Sequence, residues 1–245
     1  MTRIDGISPS RARPVTRIAL WMARRKTHAL AGRDVQGAIQ PLEAYARVPR
    51  LLLGYGMLEE ATARLHGVPE RLKVLAELKA ATLTQCEYCI DIGSQIAARA
   101  GISEEQLLAL PRYGDSDCFD ELEKLVLDYA VGMSSTPVSV SDELFEALRA
   151  RFDEAQLVEL TNVIAVENMR GRFNLALDIG SAGFREGMVC AVPDTVAQSP
   201  TTSRSHDSSR TAMAEPAAPH RHGGGDGASG SSASAATDGR PAAVA

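Results

Sequence analysis

Apolar residues recur every three or four positions along most of residues 15–179, which is the spacing of one face of an α-helix. No stretch shows the sustained alternation of apolar and polar residues that marks a half-buried strand. We therefore predict an all-α fold, a compact multi-helix domain of roughly eight to ten helices. The predicted helices cover residues 15–28, 49–67, 69–83, 90–100, 103–110, 122–133, 142–148, 153–166 and 173–179.

Two helix starts carry a recognisable pair of capping residues. Ser103 is followed three positions later by Gln106, and Asp153 by Gln156. In such a pair each side chain bonds the backbone N–H of the other residue, so we expect helices to begin at both places. Residues 111–117, between these helices, are expected to form a loop.

Two apolar stripes and one internal repeat bear on how the helices pack. We interpret the Leu and Met stripe of residues 51–58 as core packing. The helix at 15–28 mixes apolar and basic residues and is expected to pack on the domain or on a neighbouring subunit. The sequence Asp-Ile-Gly-Ser occurs at 91–94 and again at 178–181, which suggests a duplicated helical unit.

Composition limits how much of the 245-residue chain can fold. From about residue 197 onward Ser, Ala, Gly and Pro dominate, and Leu, Ile, Phe, Tyr and Trp are absent. A segment of this kind buries too little apolar surface to offset its ordering entropy. We predict a flexible arm over 1–14, one helical domain over 15–196 and a disordered tail over 197–245.

Charge and hydropathy argue against two classes of partner. The net charge of −5 gives no reason to expect nucleic acid, although basic residues are frequent near the N-terminus. No segment approaches the roughly 18 consecutive apolar residues of a membrane span, and no signal-peptide pattern is recognisable. We therefore expect a cytoplasmic protein without a membrane or nucleic-acid partner, in which the cysteines are reduced or catalytic.

The clearest chemical motif is Cys86-Glu87-Tyr88-Cys89. It stands between two predicted helices, so the cysteines fall in the first turn of the second helix and can form a disulfide. The unpaired N–H groups and the dipole of a helix start favour a thiolate there. Such a pair indicates redox chemistry ahead of metal binding. Spacing alone does not decide which sulfur is the nucleophile.

Three segments of the sequence resemble the carboxymuconolactone decarboxylase family, in particular its AhpD-like (alkylhydroperoxidase) branch. They are Glu-Leu-Lys-Ala-Ala at 77–81, Cys-Glu-Tyr-Cys-Ile-Asp-Ile-Gly-Ser at 86–94, and Ala-Val-Glu-Asn-Met-Arg-Gly-Arg-Phe-Asn at 165–174. The resemblance implies a helical domain that assembles into homo-oligomers, commonly trimers or hexamers. It also implies hydroperoxide reduction without a bound cofactor or metal, with a thiol or dithiol as reductant. Hydroperoxides or disulfides are then the expected substrates.

The same resemblance assigns roles to the two sulfurs. It implies that Cys89 attacks the peroxide and becomes a sulfenic acid, which Cys86 resolves to a disulfide. In the AhpD-like branch a Glu before the pair and a His after it relay protons. The corresponding positions here are Val74 and Gly93, so this sequence departs from the pattern at both.

Other carboxylates near the cysteines are candidates for the missing proton relay. Glu77 lies one helical turn after Val74 and therefore on the same predicted face. Asp91 follows Cys89 by two residues, where it can either move a proton or stabilise the helix start. Glu87, between the cysteines, is expected to face water. The predicted catalytic residues are thus Cys89, Cys86, Glu77 and Asp91.

Three alternative functions remain open at the level of sequence. A non-catalytic helical oligomer could use the cysteine pair as a redox sensor or as a structural disulfide, and the missing proton relay favours this interpretation. A decarboxylase-type lyase needs no paired cysteines. A zinc site needs about four ligands, and the sequence shows one cysteine pair with no second pair at ligand spacing.

Overall fold

The computed structural model describes residues 2–7 and 12–194, and within them the chain is helical, without strands. The predicted all-α fold is thereby confirmed. The tail predicted for 197–245 lies outside the described residues, as does part of the arm predicted for 1–14. The helices are α1 (Pro14–Ala31), α2 (Gln40–Tyr45), α3 (Pro49–Ala63), α4 (Glu70–Thr84), α5 (Glu87–Arg99), α6 (Glu104–Ala109), α7 (Glu121–Ser134), α8 (Asp142–Arg149) and α9 (Glu154–Ala176).

The predicted capping pairs set the starts of α6 and α9. The side chains of Ser103 and Gln106 exchange hydrogen bonds with each other's backbone N–H groups. Asp153 and Gln156 do the same at α9. A third capping box, formed by Asp120 and Glu123, begins α7. These bonds satisfy N–H groups that a helix start otherwise leaves unpaired.

Three local predictions differ from the structure. Residues 40–45 form the short helix α2, which the sequence pattern did not predict. Residues Leu110–Asp115, expected in a loop, form a 3₁₀ helix. The two helical segments predicted at 153–166 and 173–179 form one helix of 23 residues, α9, which ends at Ala176.

Helix α4 is the centre of the fold. Ten of its 15 residues are buried, and it packs against α5, α7 and α9. One core cluster joins α4 to α5 and the residues that follow α9, and a second joins α4 to α7, α8 and α9. Because α5 and α9 both pack on α4, the N-terminus of α5 is brought close to the C-terminal half of α9.

The stripe in α3 was predicted to be core, and that prediction is wrong. Leu51 and Met57 are 56% and 66% exposed, and only Leu52 and Thr62 of this helix are buried. Helix α1 likewise exposes Ile18 and Trp21. Much of the apolar surface of both helices is therefore uncovered in the described part of this chain, although Leu20 and Leu52 are buried in one small cluster. None of the described helices is long and apolar enough to cross a membrane.

The segment after α9 is fastened to α5 by one carboxylate. Asp91 accepts hydrogen bonds from the Ser181 hydroxyl and from the backbone N–H groups of residues 182–185, at 2.6–3.0 Å. The two Asp-Ile-Gly-Ser copies therefore touch each other, but the first lies within a helix and the second follows one. The expectation of a duplicated helical unit is wrong at this site.

Candidate functional site

The two cysteines stand where α4 turns into α5. Gln85 ends α4 in the left-handed conformation, with φ 58°, and Cys86 is the N-cap residue of α5. Cys86 and Cys89 are joined by a disulfide with a Cα–Cα distance of 5.2 Å. The Cys86 sulfur also accepts a hydrogen bond from the Cys89 N–H at 3.3 Å. The predicted placement of the pair in the first turn of a helix is thus observed.

The two sulfurs differ in their access to solvent. Cys86 is fully buried, whereas Cys89 is 5% exposed and lines a large open cleft. The cleft has a volume of about 1480 Å³ and is bordered by α1, α2, α3, α4, α5 and α9. A molecule entering the cleft can therefore reach Cys89, while Cys86 lies behind it.

Aromatic rings form one wall of this cleft. Tyr45 of α2 stacks on Tyr55 of α3, with ring centroids 4.4 Å apart, and on Phe173 of α9, at 4.1 Å. All three residues line the cleft. Stacked rings contribute attraction beyond the apolar area that they bury, so they hold α2 and α3 against α9 and give the cleft a flat apolar surface.

The main charged group in the cleft is centred on Arg170. Its guanidinium binds both oxygens of Glu59, at 2.9 and 2.7 Å, and one oxygen each of Glu77 and Glu167, both at 3.0 Å. Three helices supply these side chains: α3, α4 and α9. Fully ionised, the group holds three negative charges around one positive charge, which is costly to bury.

Burial of this group shifts the ionisation of two of its carboxyl groups, Glu167 and Glu77. Burial raises the pKa of Glu167 to about 7; Arg170 opposes the shift and Glu77 adds to it. Burial likewise raises the pKa of Glu77, against the opposing effect of Arg170. One oxygen of Glu167 is buried without a hydrogen-bond partner. The group can therefore hold a proton near neutral pH and release it into the cleft.

The structure brings three of the four predicted site residues to the cysteine cleft or its floor. Cys89 and Glu77 line the cleft and Cys86 lies beneath it. Asp91 is buried outside the cleft, where its carboxylate is occupied by the segment that follows α9. Glu87 is exposed, as expected.

The two positions that depart from the AhpD-like relay also line the cleft. Val74 is buried, and Gly93 lies where α5 approaches α4 closely. A Cβ atom at position 93 would stand 3.0 Å from the Cδ1 atom of Leu78. A larger residue such as His would therefore require Leu78 to move.

Sequence reasoning missed Glu167, Glu59 and Asn174 as site residues. Asn174 is buried at the end of α9, and its Nδ2 lies 3.5 Å from the Cys89 sulfur and 3.6 Å from the Cys86 sulfur. Glu167, Arg170 and Asn174 are three and four residues apart, a spacing that places them on one helix face. That spacing was the available signal.

The arrangement suits thiol chemistry better than metal binding. In the part of the chain that the structure describes, no three His, Cys, Asp or Glu side chains are grouped so that they could hold a metal ion. The three glutamates converge on the guanidinium of Arg170 instead. Cys118 and Cys190 are free, half-buried and outside the cleft.

Comparison with known sequences places these features in a family. The sequence model of the carboxymuconolactone decarboxylase family matches residues 36–131. The uncharacterized protein YnjA of Escherichia coli K12 is 33% identical over 186 residues, which span 74% of this chain and 96% of that protein. The uncharacterized protein YdfG of Bacillus subtilis 168 is 27% identical over 104 residues, or 42% of this chain and 71% of that protein.

Solved structures share the fold at lower sequence identity. The debrominase Bmp8 matches with a TM-score of 0.61 and 22% identity over 73% of this chain and 91% of its own. The alkylhydroperoxidase AhpD core of a peroxidase-related protein from Ralstonia eutropha JMP134 matches with a TM-score of 0.59 and 16% identity, over 75% and 94%. From the near full-length match to YnjA and the family model, the chain belongs to the carboxymuconolactone decarboxylase family.

Proposed function

We propose that the protein is a thiol-dependent oxidoreductase that reduces hydroperoxides through a cycle between the Cys86/Cys89 dithiol and disulfide. The observation that carries this proposal is the position of Cys89. It lies at a helix start, within bonding distance of a second cysteine, and opens into a cleft that also holds a buried carboxyl group with a pKa near 7.

The chemistry follows from the two sulfurs. The Cys89 thiolate attacks the terminal oxygen of the hydroperoxide; an S–O bond forms and the O–O bond breaks. Sulfur is oxidised by two electrons and the peroxide is reduced to an alcohol. Cys86 then attacks the Cys89 sulfenic acid, an S–S bond forms and water leaves. A dithiol reductant returns the disulfide to two thiols.

Exposure supports the roles that the family resemblance implies. The cleft gives a peroxide access to Cys89 and not to Cys86. Cys86 lies against Cys89 on the buried side, where a resolving thiol needs only to reach its neighbour. Its sulfur is also held by the Cys89 N–H, which stabilises negative charge on it when it acts as a leaving group during reduction.

The leaving alkoxide requires a proton, and we assign this role to the carboxylates around Arg170. Glu167 is the first donor because its pKa lies near the working pH, where a general acid is most effective. Glu77, on the facing helix, is the second. Asp91 is left out of this path because its carboxylate oxygens already accept five hydrogen bonds outside the cleft.

We also propose that the protein works as a homo-oligomer in the cytoplasm, where dithiol reductants are available. The support for an oligomer is the apolar surface that α1 and α3 leave uncovered in the described residues, at Ile18, Trp21 and Leu51. Family resemblance suggests a trimer or a hexamer. The same surface flanks the cleft, so association would narrow its opening.

The test is a single-turnover oxidation of the fully reduced protein. We expect stoichiometric tert-butyl hydroperoxide to consume two thiols per chain in a parent that carries Cys118→Ser and Cys190→Ser, so that only the pair is counted. Cys89→Ser should abolish the reaction. Cys86→Ser should accumulate a sulfenic acid at Cys89 that a dimedone probe traps.

The same assay separates the alternative functions. A structural staple keeps its disulfide and does not turn over when a dithiol such as dithiothreitol is supplied with excess peroxide. A lyase keeps its activity when both cysteines are replaced by serine. If the reduced parent reacts with the hydroperoxide no faster than free cysteine does, the proposed peroxidase function is wrong.

A further inference from the structure

Asn174 is the polar side chain in contact with both sulfurs. It lies near the end of α9, is 3% exposed and lines the cleft. Its Nδ2 group stands 3.5 Å from the Cys89 sulfur and 3.6 Å from the Cys86 sulfur. An N–H···S contact of this kind is weak with a disulfide and becomes charge-assisted once a thiolate forms.

The other end of the same amide has no partner. Among the described residues three buried side-chain oxygens lack a hydrogen bond, and two of them, Asn174 Oδ1 and Glu167 Oε1, belong to residues of α9 that line the cleft. A buried acceptor left unpaired costs about 1–3 kcal/mol. Two unpaired buried acceptors on one wall of the cleft therefore indicate groups positioned to accept hydrogen bonds from a ligand.

The orientation of the amide follows from its surroundings. If the side chain were turned over, Oδ1 would face the lone pairs of two sulfurs. The observed orientation gives the sulfurs a donor and directs the acceptor elsewhere. Asn168, six residues earlier on α9, has both ends of its amide paired: its Oδ1 accepts from Arg172, and its Nδ2 donates to the Ser134 hydroxyl and the Ile164 carbonyl.

We propose, resting on the peroxidase function above, that Asn174 positions both reactants: its NH₂ group holds the Cys89 thiolate while its Oδ1 accepts the hydrogen bond of the hydroperoxide O–H. The oxygen that carries this O–H is the one that sulfur attacks. The proton stays on that oxygen as the S–O bond forms, so the same hydrogen bond passes to the Cys89 sulfenic acid. The other peroxide oxygen leaves as alkoxide and takes its proton from Glu167.

This role defines the class of substrate. The site selects peroxides that have a free O–H on the reacting oxygen, because only they can satisfy Asn174 Oδ1. Dialkyl peroxides lack that donor.

The test separates the two ends of the amide. In the full chain with Cys86→Ser, Cys118→Ser and Cys190→Ser, the rate of Cys89 alkylation by iodoacetamide is measured against pH for the parent and for Asn174→Ala. Alkylation reports the thiolate and needs no O–H. We expect the midpoint of the pH profile to be higher in Asn174→Ala, with a roughly tenfold to hundredfold lower rate below the midpoint, from the loss of one charge-assisted hydrogen bond.

The substrate half is measured at a pH above both midpoints, where Cys89 is fully ionised in either protein. There Asn174→Ala should alkylate at least as fast as its parent, because a thiolate of higher pKa is the stronger nucleophile. Tert-butyl hydroperoxide should still react roughly tenfold more slowly with the variant, because the acceptor for its O–H is gone. Asn174→Asp keeps an acceptor but adds a negative charge beside the sulfur, so its alkylation midpoint should rise further than that of Asn174→Ala.

Asn168→Ala is the matched control, since it removes a buried asparagine from the same helix away from the sulfurs. It should leave the alkylation midpoint and the hydroperoxide rate at the parent values. The proposal is overturned if Asn174→Ala behaves as the parent does, or if Asn168→Ala changes both readouts equally. If the parent does not react with hydroperoxide, both the proposed peroxidase function and the proposed contact between Asn174 Oδ1 and the substrate are wrong. The alkylation midpoint still tests whether the Asn174 NH₂ group stabilises the Cys89 thiolate.

Discussion

Replacing Glu167 with glutamine should make the protein more stable and less active at the same time. Glu167 is 6% exposed and shares Arg170 with two other carboxylates. Burial raises its pKa from the ordinary 4.5 to about 7. Glutamine has the shape of the protonated acid and cannot ionise, so it removes the cost of placing a third negative charge in this group.

The size of the effect follows from the pKa difference between the folded and unfolded states. Each pKa unit corresponds to about 1.4 kcal/mol, so a rise from 4.5 to about 7 corresponds to about 3 kcal/mol. Because the folded state binds the proton more tightly, the free energy of unfolding falls as pH rises from about 4.5 to about 7. Glu167→Gln should therefore match the wild type near pH 4.5 and exceed it by about 3 kcal/mol above pH 8.

The assay is urea denaturation at several pH values between 4.5 and 8.5, on the oxidised protein, followed by circular dichroism. Glu159→Gln is the matched control on the same helix. Burial raises the pKa of Glu159, but hydrogen bonds from the Val68 and Gly67 N–H groups and from Lys73 outweigh it, so its pKa is lowered overall. Its stabilisation is present at neutral pH and lost in acid, so Glu159→Gln should be less stable than the wild type at pH 7.

Activity should move in the opposite direction to stability. If Glu167 donates the proton to the leaving alkoxide, Glu167→Gln should reduce the single-turnover peroxide rate about 10- to 100-fold at pH 7, with Glu77 retaining part of the function. The reasoning is refuted if the stability difference between Glu167→Gln and the wild type does not change with pH. A variant that is stabilised but fully active would refute only the assignment of Glu167 as proton donor.

Three further outcomes test other parts of the structure. Leu51→Glu should lower the mass measured by light scattering to that of the monomer without changing monomer stability. Val158→Glu, at a more exposed apolar position on α9, should leave the assembly intact. Asp91→Asn should lower the free energy of unfolding by about 2–3 kcal/mol, since an NH₂ group would face backbone N–H donors. The folded variant should reduce peroxide at the wild-type rate. A loss of rate as large as that of Glu167→Gln would show that Asp91 takes part in proton transfer. Gly171→Ala should cost about 1–3 kcal/mol in thermal or urea unfolding, because its Cβ would stand 2.7 Å from Thr84 Oγ1, and Thr84→Ala in the same chain should recover part of it.

The features that sequence predicts well here are local ones. The start of α5 at Cys86 follows from two helical patterns that meet at a cysteine pair, and the starts of α6 and α9 follow from capping residues three positions apart. Each of these depends on neighbours within one helical turn. The pattern fails at α2, because six residues are too few to establish a helical period.

The features that sequence could not give are those that need several helices at once. The Arg170 cluster takes Glu59 from α3, Glu77 from α4 and Glu167 from α9. Sequence spacing identifies the face shared by Glu167 and Arg170 but not the side chains that converge on it. The same limit applies to the stripe in α3, since a helical period shows that one face is apolar without showing what covers it.

The departure from the AhpD-like relay at Val74 is linked to the carboxylate cluster around Arg170. Val74 precedes Glu77 by three residues, so a glutamate at position 74 would lie beside Glu77 on the same face of α4. It would place a fourth carboxylate near one arginine, in a cleft where burial, with a smaller contribution from neighbouring carboxylates, already raises the pKa values of Glu77 and Glu167. An ionised glutamate at position 74 would therefore add an electrostatic cost to the cluster centred on α9, and the apolar side chain of Val74 avoids that cost.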